Sequence, residues 1–344
     1  MPNYYDGTKL LSLKDINGNT PELYLCVTNR TAGKTTYFGR FLVNKYLNHF
    51  GKFGLLYRFD YELQDAAEKF FKDISALFFP GMNMTSKSRD KGKYFELFLN
   101  DISCGYALAL NNADRYKKES HLFSDINRLF MDEFQSETNH YCSGEIDKFL
   151  SIHTSIARGQ GKQRRYVPVY MCSNAITLLN PYYSALNISA RLNKETKFLK
   201  GDGFVLEQGY NEEAARAILD SGISRAFSNC RYVEYSAQNL YLNDNYAFIE
   251  KPEGMPKYLA TIRYEGNDYA VKEYLSQGII YCDDKPDLTY PGKLALTTDD
   301  HRVNYVMLRH NDLFVAQLRY YFDRGCFRFK NLKCKEVIMK ALSY

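Results

Sequence analysis

The sequence of 344 residues lacks tryptophan, Cys-x-x-Cys pairs and any long uninterrupted apolar stretch. Since no apolar run approaches the roughly 20 residues that cross a bilayer, no membrane-spanning helix is predicted. The eight cysteines are scattered along the chain, which argues against a zinc site or a disulfide framework and favours reduced, mostly buried thiols. Met1–Asp6 also lacks the charged-then-apolar pattern of a secretion signal, so we expect a soluble, intracellular protein without a membrane partner.

The sequence also lacks a large excess of charge of either sign. The formal net charge is +5, from 45 Lys and Arg residues against 40 Asp and Glu residues. Such a mild excess permits a polyanionic partner without requiring one. The chain is long enough for two domains, each with its own hydrophobic core.

One stretch of the sequence imposes a specific chemistry. An apolar run, Leu23–Val27, is followed by a short polar loop and then by a helical pattern. This is the strand, loop and helix of a phosphate-binding P-loop, whose backbone N–H groups and helix dipole surround an anion. Lys34 would contact the β- and γ-phosphates of ATP, and the Thr35 hydroxyl would coordinate Mg²⁺. The predicted nucleotide-binding residues are Thr28, Asn29, Arg30, Thr31, Ala32, Gly33, Lys34, Thr35 and Thr36.

The first position of this loop departs from the usual pattern. Thr28 stands where P-loops have glycine, so the loop must begin without a residue that tolerates positive φ. The alternative interpretation is an ordinary turn before an amphipathic helix. The β-type run before the loop, and the helical spacing of Phe38, Leu42 and Tyr46 after it, favour the P-loop.

A second motif, Arg128–Phe134, consists of apolar residues that end in two consecutive carboxylates. A buried strand that carries an acid to its C-terminal end is the Walker B arrangement, because α/β sheets bind their ligands at that edge. Asp132 would hold Mg²⁺ through a water, and Glu133 would polarise the water that attacks the γ-phosphate. The alternative is a solvated charge pair at a strand end.

Two further residues are candidates for the hydrolytic site. Asn174 follows the predicted strand Tyr166–Cys172, where P-loop ATPases carry the polar group that senses the γ-phosphate, and Ser173 is the second choice for that role. An Asx-turn that leaves the strand is the alternative. Arg158 lies beside glycine in a basic segment and suits an arginine finger that enters another subunit's site. A plain surface arginine is the alternative.

Basic residues elsewhere give weaker predictions. Arg115, Lys117 and Lys118 lie in a polar segment that we expect to be a flexible loop, which contacts a DNA backbone or the ATP of a neighbouring subunit, or remains solvated. The basic hairpin Ser86–Leu99 leaves the same two interpretations open. Arg58, after the second predicted strand, faces the nucleotide or pairs with Asp60.

The second half of the chain changes character. The pattern predicts a charged helix over Tyr210–Phe227, a polar connector over Ser228–Asn245 and an antiparallel meander over residues 258–282. Two helices joined at Gly325 are predicted over residues 312–342. We therefore predict an α/β P-loop domain over residues 1–207, a linker subdomain over 208–245 and a small α+β domain over 246–344.

These residues resemble the DNA-packaging (encapsidation) ATPases of small, short-tailed phages with protein-capped linear genomes. The resemblance covers nearly the whole chain. It is carried most specifically by Asn29–Thr35 with its internal arginine, Phe130–Phe134, Cys172–Ala175 continuing to Leu179–Tyr183, and Leu296–Asp300.

The resemblance implies an ASCE-type P-loop NTPase domain with a central, mostly parallel sheet, followed by a degenerate RNase H-like domain that contacts nucleic acid or portal. By position, Arg30 resembles the family's in-loop arginine, Glu133 its catalytic base, Asn174 its coupling residue and Arg158 its finger acting in trans. The implied partners are double-stranded DNA, further copies of the chain in a ring, by resemblance a pentamer, and the capsid portal, with a packaging RNA as a further candidate. The implied location is the host cytoplasm and, transiently, the portal vertex of the capsid.

The function predicted from these features is ATP-driven translocation of viral DNA into a preformed capsid. The alternatives are another P-loop ATPase of nucleic acids, such as a helicase or transposition ATPase, and a nucleotide-binding adaptor that does not hydrolyse ATP. Two-metal nucleases need several convergent carboxylates. The strand Tyr258–Tyr264 carries none, and the pairs Asp283–Asp284 and Asp299–Asp300 lie near strand or loop ends, so no nuclease activity is predicted.

Overall fold

The computed structural model describes residues 4–158, 161–189, 191–192, 196–238 and 247–342. The chain divides into two compact units. Unit 1 contains Met1–Leu186 and Leu192–Asn243, and unit 2 contains Asn187–Arg191 and Asp244–Tyr344. None of the helices within the described ranges combines the length and apolarity needed to span a bilayer.

Unit 1 is built on a nine-stranded, mostly parallel sheet. Its strands are β1 (Leu23–Val27), β2 (Lys52–Tyr57), β3 (Met84–Arg89), β4 (Tyr94–Leu99), β5 (Ile102–Ala109), β6 (Ile126–Met131), β7 (Val169–Ser173), β8 (Phe198–Gly201) and β9 (Phe204–Gln208). They lie in the order β3-β4-β5-β2-β6-β7-β1-β9-β8, with antiparallel pairing at both edges. Strand β7 lies between β1 and β6. It is the additional strand of the predicted ASCE-type sheet.

Helices cover both faces of this sheet, which explains why its central strands are almost continuously apolar. Helix α2 turns Phe38, Leu42 and Tyr46 into the core, as their spacing predicted. The Phe38 ring stacks on Phe130 with 6.0 Å between ring centroids. The helices of unit 1 are α1 (Thr8–Ser12), α2 (Lys34–His49), α3 (Ala66–Phe78), α4 (Ala113–Lys118), α5 (Glu145–Ala157), α6 (Pro181–Ala185), α7 (Glu212–Leu219), α8 (Gly222–Ala226) and α9 (Arg231–Gln238).

Unit 2 contains a six-stranded sheet in the order β14-β13-β10-β11-β12-β15. Strands β10 to β12 form the predicted antiparallel meander, and β13 runs parallel to β10. Taken from β12 through β10 to β14, this is the strand order of RNase H-like sheets. The elements are β10 (Lys257–Tyr264), β11 (Asn267–Tyr274), β12 (Ile279–Asp283), β13 (Lys293–Ala295), β14 (Val306–Met307), α10 (Asp312–Asp323), β15 (Phe327–Phe329) and α11 (Leu332–Leu342).

Four local predictions were wrong. The segment around Arg115 is the helix α4 and not a loop, because the buried Tyr116 hydroxyl accepts from the Ala109 N–H and donates to the Lys93 carbonyl. The helix predicted over 210–227 is broken into α7 and α8, since the Ser221 hydroxyl caps a new helix at the Ser224 N–H. Helix α9 lies in the predicted polar connector, and β15 separates the last two helices.

Arg58 does not pair with Asp60, as one of its two predicted positions required. Its side chain is buried, and its Nε lies 2.9 Å from the Glu145 carboxylate at the start of α5. Its Nη2 donates to the Phe134 carbonyl at 2.8 Å, and Tyr182 donates to Glu145 at 2.9 Å. This buried pair therefore ties the ends of β2 and β6 to α5 and α6.

Replacing Arg58 with Met leaves the buried Glu145 charge uncompensated. We expect the variant to lose about 3–5 kcal/mol of unfolding free energy, because breaking a buried ion pair costs more than the pair contributes. The double variant Arg58→Met/Glu145→Gln should recover a large part of this loss. Urea denaturation followed by circular dichroism measures both effects, and a single variant as stable as the parent would contradict the assignment.

Candidate nucleotide-binding site

The phosphate loop connects β1 to α2 and does not need glycine at its first position. Positive φ angles occur at Thr31 (59°) and Gly33 (89°), whereas Thr28 is not among the positive-φ residues. The Thr28 side chain is buried, and its backbone N–H donates to the Ser173 carbonyl at 3.2 Å. The entry of the loop is therefore fixed by pairing with β7, which any residue but proline can provide.

The loop also makes contacts on its other side. The Tyr5 N–H donates to the Ala32 carbonyl at 2.7 Å. Asn29 exchanges two hydrogen bonds with Asn211: its Nδ2 donates to the Asn211 carbonyl at 3.0 Å, and its Oδ1 accepts from the Asn211 N–H at 2.9 Å. Asn211 also caps α7. The loop is thus joined directly to the first helix of the 208–245 segment.

Three predicted motifs meet where the parallel strands end. Lys34 Nζ donates to Asn174 Oδ1 at 2.6 Å, and the Thr35 hydroxyl donates to Asp132 Oδ2 at 2.8 Å. Lys34 and Thr35 begin α2, Asp132 follows β6 and Asn174 follows β7. Thr36 lies in the same first turn of α2, whose N-terminus faces an anion favourably.

The two carboxylates after β6 differ in conformation and environment. Glu133 has a φ of 54°, a left-handed conformation that is uncommon for glutamate, and its N–H donates to Asp132 Oδ1 at 3.0 Å. Desolvation raises the pKa of Asp132, against the opposing effects of Lys34 and Thr35. Desolvation and the neighbouring carboxylates of Asp132 and Glu137 raise the pKa of Glu133. Both pKa shifts favour proton uptake until a cation is bound nearby.

The oxygen donors at this position suit the predicted magnesium ion. Mg²⁺ prefers hard oxygen ligands and is commonly bound through one or two protein groups together with phosphate oxygens and water. The Thr35 hydroxyl and the Asp132 carboxylate are such donors, and they lie within hydrogen-bond distance of each other. The donor set therefore fits the ion.

Arg30 lies in the loop but points toward α9. Its Nη2 is 2.5 Å from Glu137 Oε1, and its guanidinium lies 5.4 Å from the centre of the Tyr232 ring. The Tyr235 hydroxyl donates to the same Glu137 oxygen at 3.0 Å. In this state the in-loop arginine joins the phosphate loop to α9.

Arg158 is remote from the site of its own chain. It is exposed and directly follows α5, whose first residue, Glu145, is the partner of Arg58 near the carboxyl edge of the sheet. The 13-residue helix spans about 20 Å, so Arg158 lies toward the opposite edge.

A cleft of about 270 Å³ opens beside Glu133 and Asn174 and is lined by further residues including Arg30, Glu137 and His140.

The basic residues considered for DNA contact lie on α4. Arg115 forms ion pairs with Asp90 at 2.9 Å and with Glu119 at 3.1 Å. Lys117 lies 3.7 Å from Asp114, and Lys118 is exposed. The carboxylate partners of Arg115 reduce its availability for a phosphate.

Sequence reasoning missed Glu137, Glu145 and Asn211. Glu137 and Glu145 contact arginines that are 107 and 87 positions away in the sequence, so no local pattern marks them. Asn211 was detectable in part, because an Asn before Glu-Glu-Ala-Ala is a helix N-cap pattern. Its pairing with Asn29 had no sequence marker.

Two segments that carried the family resemblance have structural roles. In Leu179–Tyr183, the Asn180 side chain caps α6 by accepting from the Tyr183 N–H at 2.9 Å. In Leu296–Asp300, the Asp300 carboxylate accepts from the Glu265 and Gly266 N–H groups at 3.0 and 2.8 Å. These two hydrogen bonds to Asp300 hold the turn between β10 and β11.

The fold and this sheet edge define an ASCE-type P-loop ATPase. A family model described as Podovirus DNA encapsidation protein (Gp16) matches residues 2–343. The chain therefore belongs to the Podovirus Gp16 DNA encapsidation protein family, as the resemblance predicted.

Known relatives and solved structures agree with this assignment. The DNA packaging proteins of Bacillus phages PZA and phi29 are each 24% identical over 332 residues, which cover 95% of this chain and 93% of the relative. A chain of the bacteriophage Phi-29 viral genome packaging motor assembly superposes with a TM-score of 0.73 at 21% identity, covering 98% of this chain and 99% of that one. The Phi-28 gp11 DNA packaging motor gives a TM-score of 0.59 at 16% identity, covering 100% and 97%. These structures share the fold.

Replacing Thr28 with Gly tests the account of the loop entry. Because Thr28 does not adopt positive φ, we expect ATP affinity to change by less than about twofold, while the added freedom of the unfolded chain lowers the unfolding free energy by about 0.5–1 kcal/mol. Calorimetric titration and urea denaturation measure the two quantities. A gain in ATP affinity of tenfold or more would indicate that threonine strains the loop.

Proposed function

We propose that this protein is a packaging motor that hydrolyses ATP to drive double-stranded DNA into a preformed capsid. Membership of the encapsidation family supports this function, as does the convergence of Lys34, Thr35, Asp132 and Asn174 at one sheet edge. The relatives from phages PZA and phi29 are DNA packaging proteins. The motor would act in the host cytoplasm and, during packaging, at the portal vertex of the capsid.

The position of Arg158 is the observation that carries the ring proposal. An arginine finger contacts the γ-phosphate, but Arg158 lies about a helix length, roughly 20 Å, from the site end of α5. This distance favours the site of a neighbouring copy over the site of its own chain. We infer a head-to-tail ring, a pentamer by family resemblance, in which each subunit supplies Arg158 to the open cleft beside the next subunit's Glu133.

Each residue at the sheet edge has a distinct role in this proposal. The loop N–H groups and Lys34 bind the β- and γ-phosphates, and Thr35 and Asp132 hold Mg²⁺, which neutralises phosphate charge when bound. Glu133 orients the attacking water and accepts its proton. Asn174 accepts a hydrogen bond from Lys34 and directly follows β7. If the Lys34 amine moves when the γ-phosphate binds or leaves, Asn174 and the end of β7 would move with it. Arg158 of the neighbour stabilises the charge of the transition state.

Arg30 couples this site to the 208–245 segment in our proposal. Together with the Asn29–Asn211 pair, its contacts with Glu137 and Tyr232 give the phosphate loop two connections to α7 and α9. A change in loop position on nucleotide binding would therefore move these helices. The exposed Lys117 and Lys118 of α4, and Arg115 after release from its carboxylates, are the candidate DNA contacts.

Unit 2 would contact the portal, a packaging RNA or DNA, and we propose no nuclease activity for it. The carboxylates that a two-metal nuclease would use are engaged in other contacts. Asp283 pairs with Lys272 at 2.7 Å, and Asp300 holds the β10–β11 turn.

The test is ATPase activity as a function of protein concentration, with and without DNA and portal-bearing capsids. We expect turnover per subunit to rise on assembly by about 10³-fold or more, because completion of a site by an arginine finger contributes a factor of that order. Glu133→Gln should abolish turnover and retain ATP binding. Verified monomers that hydrolyse ATP as fast as assembled rings would contradict the proposal.

A further inference from the structure

A cavity at the amino edge of the unit 1 sheet lies opposite the nucleotide site. It has a volume of about 470 Å³ and lies beside the C-terminal half of α2, where β1, β6 and β7 begin. We call it the Arg128 pocket. Aromatic rings and two cations form most of its wall: Tyr24, Phe41, Tyr166 and Tyr170, with Lys45 and Arg128.

Arg128 has no counter-charge in this pocket. Its Nη1 is buried and forms no hydrogen bond with any of the described residues. Among the residues that the structure describes, neither Arg128 nor Lys45 forms an ion pair. The Lys45 ammonium nitrogen lies 5.7 Å from the centre of the Phe41 ring. Burial lowers the pKa of Arg128, which is the direction expected for a cation without a carboxylate nearby.

A half-buried guanidinium without a partner destabilises the isolated subunit. Desolvation of a charge is unfavourable unless hydrogen bonds and an opposite charge compensate it, and an apolar side chain of similar length would avoid that penalty. The pocket is therefore better suited to a complex in which an anion enters from outside than to the single chain.

The position of the pocket indicates where such an anion would come from. Arg165 donates to Asn127, which lines the pocket, and to the Ile156 carbonyl near the end of α5. Arg158 follows α5 directly, so Arg158 and the pocket lie at the same edge of the sheet. At the opposite edge, the cleft beside the phosphate loop carries Glu62 and Glu133, while its two arginines, Arg30 and Arg58, are already paired with Glu137 and Glu145. Head-to-tail stacking brings these oppositely charged edges together.

We propose that the Arg128 pocket binds an aspartate or glutamate side chain of a neighbouring copy of this chain. The proposal rests on the head-to-tail ring of the proposed function. It adds an assembly contact that is separate from catalysis: Arg158 completes the neighbour's hydrolytic site, whereas Arg128 and Lys45 hold the neighbour in place. The aromatic rings lower the local dielectric constant and so strengthen the ion pair.

The test compares Arg128→Met with the matched surface variant Arg309→Met, which removes an exposed arginine from unit 2. Sedimentation velocity with a non-hydrolysable ATP analogue measures self-association, and thermal denaturation of dilute monomers measures stability. We expect Arg128→Met to weaken self-association at least about 30-fold, since truncating one partner of a buried charge pair costs that much. Its monomers should unfold at the same or a higher temperature, and Arg309→Met should behave like the parent.

Four results would overturn the proposal. Arg128→Met could associate like the parent, or its monomers could unfold at a lower temperature, which would make the arginine a structural residue. It could associate normally but bind DNA more weakly, which would make the occupant a phosphate. A parent chain that never self-associates would overturn the proposed function and the pocket together.

Arg158→Ala rings that assemble and hydrolyse ATP normally would contradict only the proposed function.

Discussion

The order of three parallel strands determines the geometry of this site. Because β6, β7 and β1 are neighbours and run in the same direction, their carboxyl ends deliver Asp132, Asn174 and the phosphate loop to one edge. Two hydrogen bonds, Lys34 to Asn174 and Thr35 to Asp132, then connect the start of α2 to the ends of β7 and β6. Any displacement of one strand along another would separate these groups, so packing of the sheet and chemistry of the site depend on each other.

Buried polar contacts maintain this arrangement from outside the site. The Arg58–Glu145 pair fixes the start of α5, and α5 in turn sets the position of Arg158 at the far edge. Asn29 and Arg30 link the loop to α7 and α9. These contacts give one subunit two chemically different edges, one with the nucleotide site and one with cations, and that asymmetry is what a head-to-tail ring needs.

Sequence patterns predicted those parts of the molecule that local residues determine. The Lys34 and Asp132 motifs identified their strands because each motif directly follows a hydrophobic run in the sequence. The meander of unit 2 was predicted from alternating apolar and polar residues separated by turn residues. The partner of Arg30 could not be predicted, since Glu137 is 107 positions away. Helix α4 was predicted as a loop because most of its residues are polar, and the sequence does not show that Tyr116 is buried. Thr28 raised a question about loop geometry that only the backbone dihedral angles could answer.

The central claim is that one subunit completes the hydrolytic site of the next. It is tested most directly by mixing Arg158→Ala subunits, which have an intact site but no finger, with Glu133→Gln subunits, which have a finger but no base. Each variant alone should be inactive as an ATPase, and the mixture should regain activity, because Glu133→Gln subunits supply Arg158 to intact neighbouring sites. A mixture that is as inactive as its components, although mixed rings form, would contradict the account.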